Sequence, residues 1–312
     1  LPRPKEAFSR SLRDTTPIST PFPSTIKTLP TSSTNIVTAV SYAVAVFAAT
    51  TGTDCTSFTL TELSSSVKND SGIISIGQES TGLFMKDGAS ISNTGTAEIN
   101  STGLKAVGIY SENNLAGSAT VTNSNKIDLN GDQSIGIYTT GENNVTNTGI
   151  INIGNSSSQT QPGVGIYADH AGSSITNSAA VNIGDNGVGI YNLNGNVTNS
   201  GAITAGNGGT GIYSEGGTIT LNAGSSIITG QNDAVGVYAV NQTGIVTNNS
   251  TVSVGDGSYG FVFTGATAPT FINNQSAVIG NNSIFVFSDS ALSADNSGIL
   301  TMTGSDNIGY YL

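Results

Sequence analysis

The sequence has no tryptophan, one cysteine and one histidine, and only 9% of its residues are charged. Cys55 alone cannot close a disulfide bond within the chain, so stability must come from packing. One histidine and one cysteine also exclude the Cys/His ligand sets of structural zinc sites. No lysine or arginine follows Lys126, and the net charge is −11, so we expect no nucleic-acid partner.

Glycine, asparagine, serine and threonine are abundant, with 40 glycines among 312 residues, and this mixture favours strands joined by tight turns. A hydrophobic content of 36% is too high for a disordered tail, so we expect a packed core. The sequence contains no long apolar run for an integral membrane span. Scarce lysine and the acidic balance suit an extracellular or bacterial outer-surface protein.

A glycine-aliphatic-aromatic triplet recurs every 22 to 29 residues and is the main pattern of the sequence. Between triplets lies a second motif, Asn followed by a small turn, an alternating strand and Gly, as in 147–154 and 177–184. A short third strand precedes it. Strands this short cannot bury an apolar face within one repeat, so successive repeats must stack. The sequence therefore predicts an all-β fold, a parallel β-solenoid (β-helix) of about ten coils with an extended N-terminal arm.

Period-2 alternation in the triplet assigns its faces. Val188 and Ile190 share one side of a strand, and Gly189 and Tyr191 share the other. We expect the aliphatic pair to point inward, which leaves a surface aromatic column, although packing of the tyrosines inside a corner stays open. The column comprises Tyr110, Tyr138, Tyr167, Tyr191, Tyr213 and Tyr238.

A recurrent asparagine marks one turn of nearly every repeat. Stacked asparagine side chains can hydrogen-bond up and down a column and satisfy turn backbone. We interpret these residues as a structural ladder made of Asn93, Asn123, Asn147, Asn177, Asn199, Asn222, Asn248 and Asn273.

Acidic residues precede several triplets within Gly-rich turns, at Asp132, Asp185, Asp233, Asp256 and Asp306. Stacked carboxylates repel one another unless they are screened or bridged, so two interpretations stand: solvated turn acids, or a calcium site. The spacing differs from the calcium-binding Gly-Gly-x-Gly-x-Asp repeat and favours the first. We otherwise expect no cofactor.

Enzymes that act on polysaccharides also use β-helices, so catalysis has to be considered. A lyase of this type needs a basic group beside acidic ones, and no Lys or Arg follows Lys126. Paired carboxylates for hydrolysis are not evident, and His170 has no nucleophile motif beside it. We predict no catalytic residues and no enzyme, with a polysaccharide-active enzyme as the remote alternative.

The chain divides into three parts: residues 1–34, a Pro-rich basic extended arm; 35–66, a hydrophobic strand segment or N-terminal cap; and 67–312, the repeats. Residues 36–49 fit a cap, an intermolecular strand or a leader remnant. A basic arm and an alternating strand attached to an acidic rod predict docking on the next subunit. The residues assigned to this assembly arm are Arg3, Lys5, Arg10, Arg13, Val40, Tyr42, Val44 and Val46.

The alternation of Asn-Thr-Gly-Ile-Ile-Asn-Ile-Gly (147–154) with Val-Gly-Ile-Tyr (188–191) resembles the passenger repeats of large bacterial autotransporter adhesins of the fusobacterial type. The resemblance covers residues 67–312 and implies an extracellular β-helix that binds a host protein or a glycan. Two functions therefore remain: a structural subunit that polymerises into a surface filament or layer as a homo-oligomer, and an adhesin passenger fragment.

Overall fold

The computed structural model describes residues 66–312 and, before them, the backbone of two short strands, β1 (Ile36–Val37) and β2 (Val46–Phe47). These two pair antiparallel, with Ile36 opposite Phe47 and Val37 opposite Val46. The other residues before 66 lie outside the described part of the chain. The predicted assembly-arm side chains lie outside it too, namely Arg3, Lys5, Arg10, Arg13, Val40, Tyr42, Val44 and Val46.

Residues 66–312 fold into a parallel β-solenoid of ten coils, which confirms the predicted fold class. Each coil contributes one strand to each of three ten-stranded walls. The first wall contains β3 (Ser66–Asn69), β6 (Ser90–Asn93), β9 (Ala119–Asn123), β12 (Asn143–Asn147), β15 (Ser174–Asn177), β18 (Asn196–Asn199), β21 (Ile219–Leu221), β24 (Ile245–Asn248), β27 (Thr270–Asn273) and β30 (Ser293–Asn296).

The second and third walls follow in every coil. The second contains β4 (Ile73–Ser75), β7 (Glu98–Ser101), β10 (Ile127–Leu129), β13 (Ile151–Ile153), β16 (Val181–Ile183), β19 (Ala202–Ala205), β22 (Ser226–Thr229), β25 (Thr251–Val254), β28 (Ala277–Ile279) and β31 (Leu300–Met302). The third contains β5 (Thr81–Lys86), β8 (Val107–Asn113), β11 (Ile135–Gly141), β14 (Val164–Ala168), β17 (Val188–Leu193), β20 (Thr210–Glu215), β23 (Val235–Val240), β26 (Tyr259–Thr264), β29 (Ile284–Ser288) and β32 (Ile308–Tyr311).

Like residues stack on like residues along the axis. Tyr138 pairs with Tyr110 below and Tyr167 above, and Ile151 pairs with Ile127 below. This register follows from burial, because a slip of one residue moves a whole strand face from the core to solvent. The repeated sequence motifs therefore become columns.

The core is a continuous apolar column on the solenoid axis. Strands of the first two walls alternate between buried and less buried residues, as a strand with one face in a core should. Val145, Ile151 and Ile166, one from each wall, are at most 1% exposed and belong to the same cluster. Each coil thus contributes one layer to the core, and that layer is completed only by contact with the neighbouring coils.

The third wall departs from simple alternation, and the predicted facing is wrong for Val188 and Gly189 but correct for Ile190 and Tyr191. Ile190 lies in the axial core, but Val188 packs with Tyr191 in a second cluster on the opposite side of the wall. Gly189 faces inward, because a Cβ atom there would lie 3.0 Å from the Ile203 side chain. Two consecutive residues turn inward, as in a β-bulge, and so the period of two fails at this point.

The inward facing of the glycine position is clearest in the coil where another residue replaces the glycine. In β29 that position holds Phe285, which is fully buried in the axial core and packs edge-on against Phe261. Most coils need glycine here because the adjoining coil approaches closely. A Cβ on Gly189 would lie only 2.4 Å from the Gly211 carbonyl oxygen.

Candidate functional site

A row of asparagines runs along the end of the first wall. Its side-chain amides donate, coil after coil, from Nδ2 to the Oδ1 of the next asparagine, with distances from 2.6 to 3.1 Å. The residues in it are Asn69, Asn93, Asn123, Asn147, Asn177 and Asn199, then Asn248, Asn273 and Asn296. Asn93 to Asn199 are fully buried. This row satisfies polar groups that the core would otherwise leave unpaired.

Asn222 is not part of this row, which corrects the prediction for that coil. The register pairs Asn199 with Leu221 and Leu221 with Asn248, so a buried leucine holds the ladder position. Asn222 lies one residue further on, and its Nδ2 donates to the Ser200 hydroxyl oxygen at 2.9 Å. The row is therefore interrupted once.

The acidic turn residues do not come together. Backbone pairing places Asp132, Asp185 and Asp256 at one turn position, separated from each other by neutral residues of intervening coils. Asp233 and Asp306 lie at other turn positions, with left-handed backbone φ of 64° and 58°. Among the described residues, no group of three or more His, Cys, Asp or Glu side chains could hold a metal ion.

These turn acids have a backbone role that the sequence did not reveal. Asp185 Oδ1 accepts the Asn207 amide N–H of the next coil at 2.8 Å, and Asp256 Oδ1 accepts that of Asn281 at 2.8 Å. The Asn155 side chain acts in the same way, because its Oδ1 accepts the Asp185 amide N–H at 2.9 Å. Asp and Asn are equivalent as acceptors here, which explains why they alternate in this turn.

The six predicted tyrosines form a continuous column together with Phe84. Neighbouring ring centroids lie 4.6 to 5.6 Å apart, and the rings from Tyr138 to Tyr213 are stacked. The rings are buried rather than exposed, so the column does not lie at the surface as predicted. Burial raises the pKa of the Tyr138, Tyr167 and Tyr213 hydroxyls.

An acidic edge borders the tyrosine column, two residues further along each strand of the third wall. Its acidic members are Glu112, Asp169 and Glu215, with Asp289 just beyond β29. Lys86 pairs with Glu112 at 2.8 Å at the lower end of this edge. Burial raises the pKa of Asp169, against the opposing effect of the Gly141 amide, which donates to its carboxylate. Sequence spacing hid this edge because its acids occur only in the second, fourth, sixth and ninth coils.

Two insertions leave the regular coils. Residues 114–118 form an exposed loop after β8, with Leu115 37% exposed. Residues 155–163 form a loop closed by the Gly163 amide donating to the Ser156 hydroxyl at 2.6 Å. Its Gln159 side chain donates to the Gly208 carbonyl two coils away at 2.7 Å. Both loops connect strands of the stacked solenoid, the first between β8 and β9 and the second between β13 and β14.

A model of the BigA third pectate lyase-like domain matches residues 24–195, more than half of the 312 residues. The chain belongs to this family. BigA is an autotransporter-like adhesin, so the family agrees with the adhesin resemblance of the repeats. The match begins before the first described coil and includes the segment that contains β1 and β2.

No curated protein and no solved structure matches the chain. Among the described residues there is no helix of the length and apolarity that a membrane crossing requires.

Proposed function

We propose that this chain is a non-catalytic β-helix domain of an adhesin-like protein on the bacterial outer surface. The observation that carries the proposal is membership of the BigA domain family, over residues 24–195. The rod of ten stacked coils supports it, because such a frame holds binding loops at a fixed distance from a surface.

The chemistry of the polar side chains supports a non-enzymatic role. The described turn carboxylates of Asp185 and Asp256 are engaged by backbone amides of the next coil. The lysines Lys68, Lys86 and Lys126 each form an ion pair with one neighbouring acid. A lyase base needs an amine poised over bound substrate, and these amines are committed elsewhere. The proposal requires no cofactor.

We assign the binding surface to the loops 114–118 and 155–162, with a host protein or a glycan as the ligand class. Loops on a rigid scaffold tolerate variation and carry recognition more readily than stacked strands. The first loop follows the third-wall strand of the second coil, and the second loop precedes the third-wall strand of the fourth coil, so the two lie at opposite edges of the third wall.

The experiment is adhesion of beads coated with the purified chain to host cells and to an array of glycans. Replacing residues 114–118, 155–162 or both with Gly/Ser segments of equal length should reduce adhesion without changing the circular dichroism spectrum. A matched control replaces the exposed turn 231–233 in the same way. Undiminished adhesion in both loop variants would contradict this assignment, and turnover of polysaccharide by the intact chain would contradict the non-catalytic role.

A second candidate function is assembly into a filament through the basic N-terminal arm. It is favoured by charge, because the arm carries Arg3, Lys5, Arg10 and Arg13 whereas no lysine or arginine follows Lys126 in the acidic repeats. Reversing the charge of Arg3, Lys5, Arg10 and Arg13 to Glu should then abolish filaments seen by electron microscopy. Filaments of unchanged length would exclude an electrostatic role for the arm.

A further inference from the structure

Coil 7, formed by β21, β22 and β23, interrupts the asparagine row within the rod. In coil 5, Asn177 Nδ2 uses both of its hydrogens, one for the Ala179 carbonyl oxygen at 2.9 Å and one for Asn199 Oδ1 at 2.7 Å. In coil 6, Asn199 Nδ2 donates to the Gly201 carbonyl oxygen at 2.9 Å, and no described residue accepts its other hydrogen, because Leu221 holds the next position. A buried amide hydrogen without a partner is unfavourable, so the contact between coils 6 and 7 is weakened.

The row begins again in coil 8. Asn248 Oδ1 accepts the Ser250 amide N–H of its own turn at 3.0 Å, whereas Asn273 Oδ1, one coil further on, accepts from the row amide of the preceding coil. Leu221 has no proton to donate to Asn248. Coil 7 therefore lacks the buried side-chain bond of the row on both of its sides.

Two further features weaken the contacts of coil 7. β21 has three residues and is the shortest strand of the first wall. Gln242, which is 1% exposed, lies at the corner after β23, and its Nε2 donates to the Ser214 carbonyl oxygen at 3.1 Å. Its buried Oε1 accepts no hydrogen bond from the described residues. A buried acceptor without a donor is unfavourable, and this one lies where coil 7 leads into coil 8.

Aromatic packing also changes between coils 7 and 8. The tyrosine column ends with Tyr238 in coil 7, because Val262 holds its position in coil 8. Beyond this point rings fill the axial core, with contacting centroids 4.6 to 6.5 Å apart: Phe261, Phe263, Phe271 and Phe285. The positions below Phe261 and Phe263 hold Val237 and Ala239. Coils 8 and 9 thus share an aromatic core that coil 7 does not continue.

We propose that coil 7 is a weak point built into the rod, which divides it into two cooperative units, coils 1 to 6 and coils 8 to 10. The asparagine row is continuous within each unit, and the aromatic core belongs to the second unit. In a stack of coils, unfolding that starts in one unit stops where the contact between neighbouring coils is weakest.

This division has a consequence for the loops 114–118 and 155–162. Both loops belong to coils 2 to 4 and therefore to the first unit. Unfolding of the second unit leaves them on folded coils. The inference does not depend on what the loops bind, since it concerns the order in which the coils unfold.

Native-state hydrogen exchange of the full chain, followed by mass spectrometry at urea concentrations below the unfolding midpoint, tests the proposal. The amides of β24 to β32 should exchange through one shared opening and those of β3 to β20 through another, with protection that differs by roughly tenfold or more. One opening shared by all coils would overturn the proposal. So would protection that changes evenly from coil to coil without a step at coil 7.

Leu221→Asn should join the two runs of the row. The new amide would lie where it can accept from Asn199 and donate to Asn248, and the step in protection between coils 6 and 8 should shrink to less than about threefold. Leu129→Asn is the matched control, because Leu129 is equally buried but has no asparagine as a register neighbour, and the step should remain. A folded Leu221→Asn variant with an unchanged step would contradict the role given to coil 7.

A second variant creates an interruption instead of repairing one, and it does not require Leu221→Asn to fold. Asn177→Leu removes the bond from Asn147 and the bond to Asn199, so a new step of about threefold or more should appear at coil 5. Asn182→Leu, on the exposed side of the second wall in the same coil, is the control and should add no step. An equal loss of protection in every coil of Asn177→Leu would show that the row does not set the boundaries of unfolding.

Discussion

At the scale of single residues, the asparagine row shows why one residue type recurs. Each amide must accept from the coil below and donate to the coil above, and among small side chains asparagine does both with a fixed geometry. Aspartate accepts but does not donate when ionised. A chain of such bonds polarises its members in the same sense and is stronger than isolated pairs.

Asn147→Asp tests this requirement. The buried carboxylate would retain the bond from Asn123 but would face the Asn177 oxygen without a proton to donate. Burial raises the pKa of such a carboxyl in the folded state above its unfolded value of about 4. The variant should therefore be nearest to wild type below about pH 4 and lose about 1–3 kcal/mol as the pH rises towards neutral.

Urea unfolding at several pH values measures this effect. Asn249→Asp is the matched control, because Asn249 only accepts, from the Asn274 amide at 2.9 Å, and it lies outside the buried row. Equal pH dependence in the two variants would show that donation by Asn147 contributes nothing to stability.

At the scale of elements, the sequence was sufficient to predict two or three stacked strands per coil, of which the structure has three, and the columns of like residues. Val145 and Ile151 alternate with polar residues, so their inward facing follows from periodicity alone. Gly189 could not be placed in that way. Its inward position depends on a local bulge and on close contact with Gly211, both of which arise only when coils stack.

Asn222 illustrates a second limit of sequence reasoning. Counting asparagines per repeat assigns it to the row, whereas the strand register gives that position to Leu221. In this coil either Leu221 or Asn222 could occupy the position of the row. The sequence pattern cannot decide between them, because strand pairing in the folded chain sets the register. The acidic edge at Asp169 was missed for a related reason, since its members alternate with Thr140 and Leu193.

Gly189→Ala tests the contact between coils. The new methyl group would approach the Gly211 carbonyl oxygen and the Ile203 side chain, so the variant should lose about 1–3 kcal/mol of unfolding free energy by overpacking. Gly77→Ala is the control, because its nearest neighbour would be the Ser80 hydroxyl at 3.9 Å. Chemical denaturation of both variants measures the difference, and equal midpoints would refute the close approach.

The tyrosine column should make stability depend on alkaline pH. The pKa of Tyr167 is raised in the folded state, chiefly by burial, so its stabilising effect is complete below the unfolded value of about 10 and is lost as the pH rises above that value. Tyr167→Phe should match wild type at neutral pH within about 1 kcal/mol and should be relatively more stable above about pH 10.

Thermal unfolding followed across this alkaline range provides the measurement. Tyr311→Phe is the control, because Tyr311 is 46% exposed. If Tyr167→Phe and wild type lose stability in parallel above about pH 10, Tyr167 ionisation is not coupled to folding.

At the scale of the whole molecule, the solenoid is a one-dimensional stack in which each coil contacts its immediate neighbours. Stability then approximates a sum of coil and interface contributions. Removal of residues 289–312 should leave the other coils folded. The loss of unfolding free energy should be small, because the residues of the last coil are largely exposed, as in β30.

Circular dichroism and denaturant unfolding of this shortened chain measure both points. The circular dichroism signal per residue should stay constant. The denaturant midpoint should fall, because removal of Tyr310 exposes the Phe285 ring that packs against it. Collapse of the whole β-sheet signal would show that the rod folds as one indivisible unit.

The asparagine row gives the rod a sense of direction. Within each of its two runs, Asn69 to Asn199 and Asn248 to Asn296, each asparagine donates to the one in the coil that follows, so the row has a direction. A head-to-head junction of two rods would set donor against donor. Any segment that continues this row must therefore present its own amides aligned in the same sense.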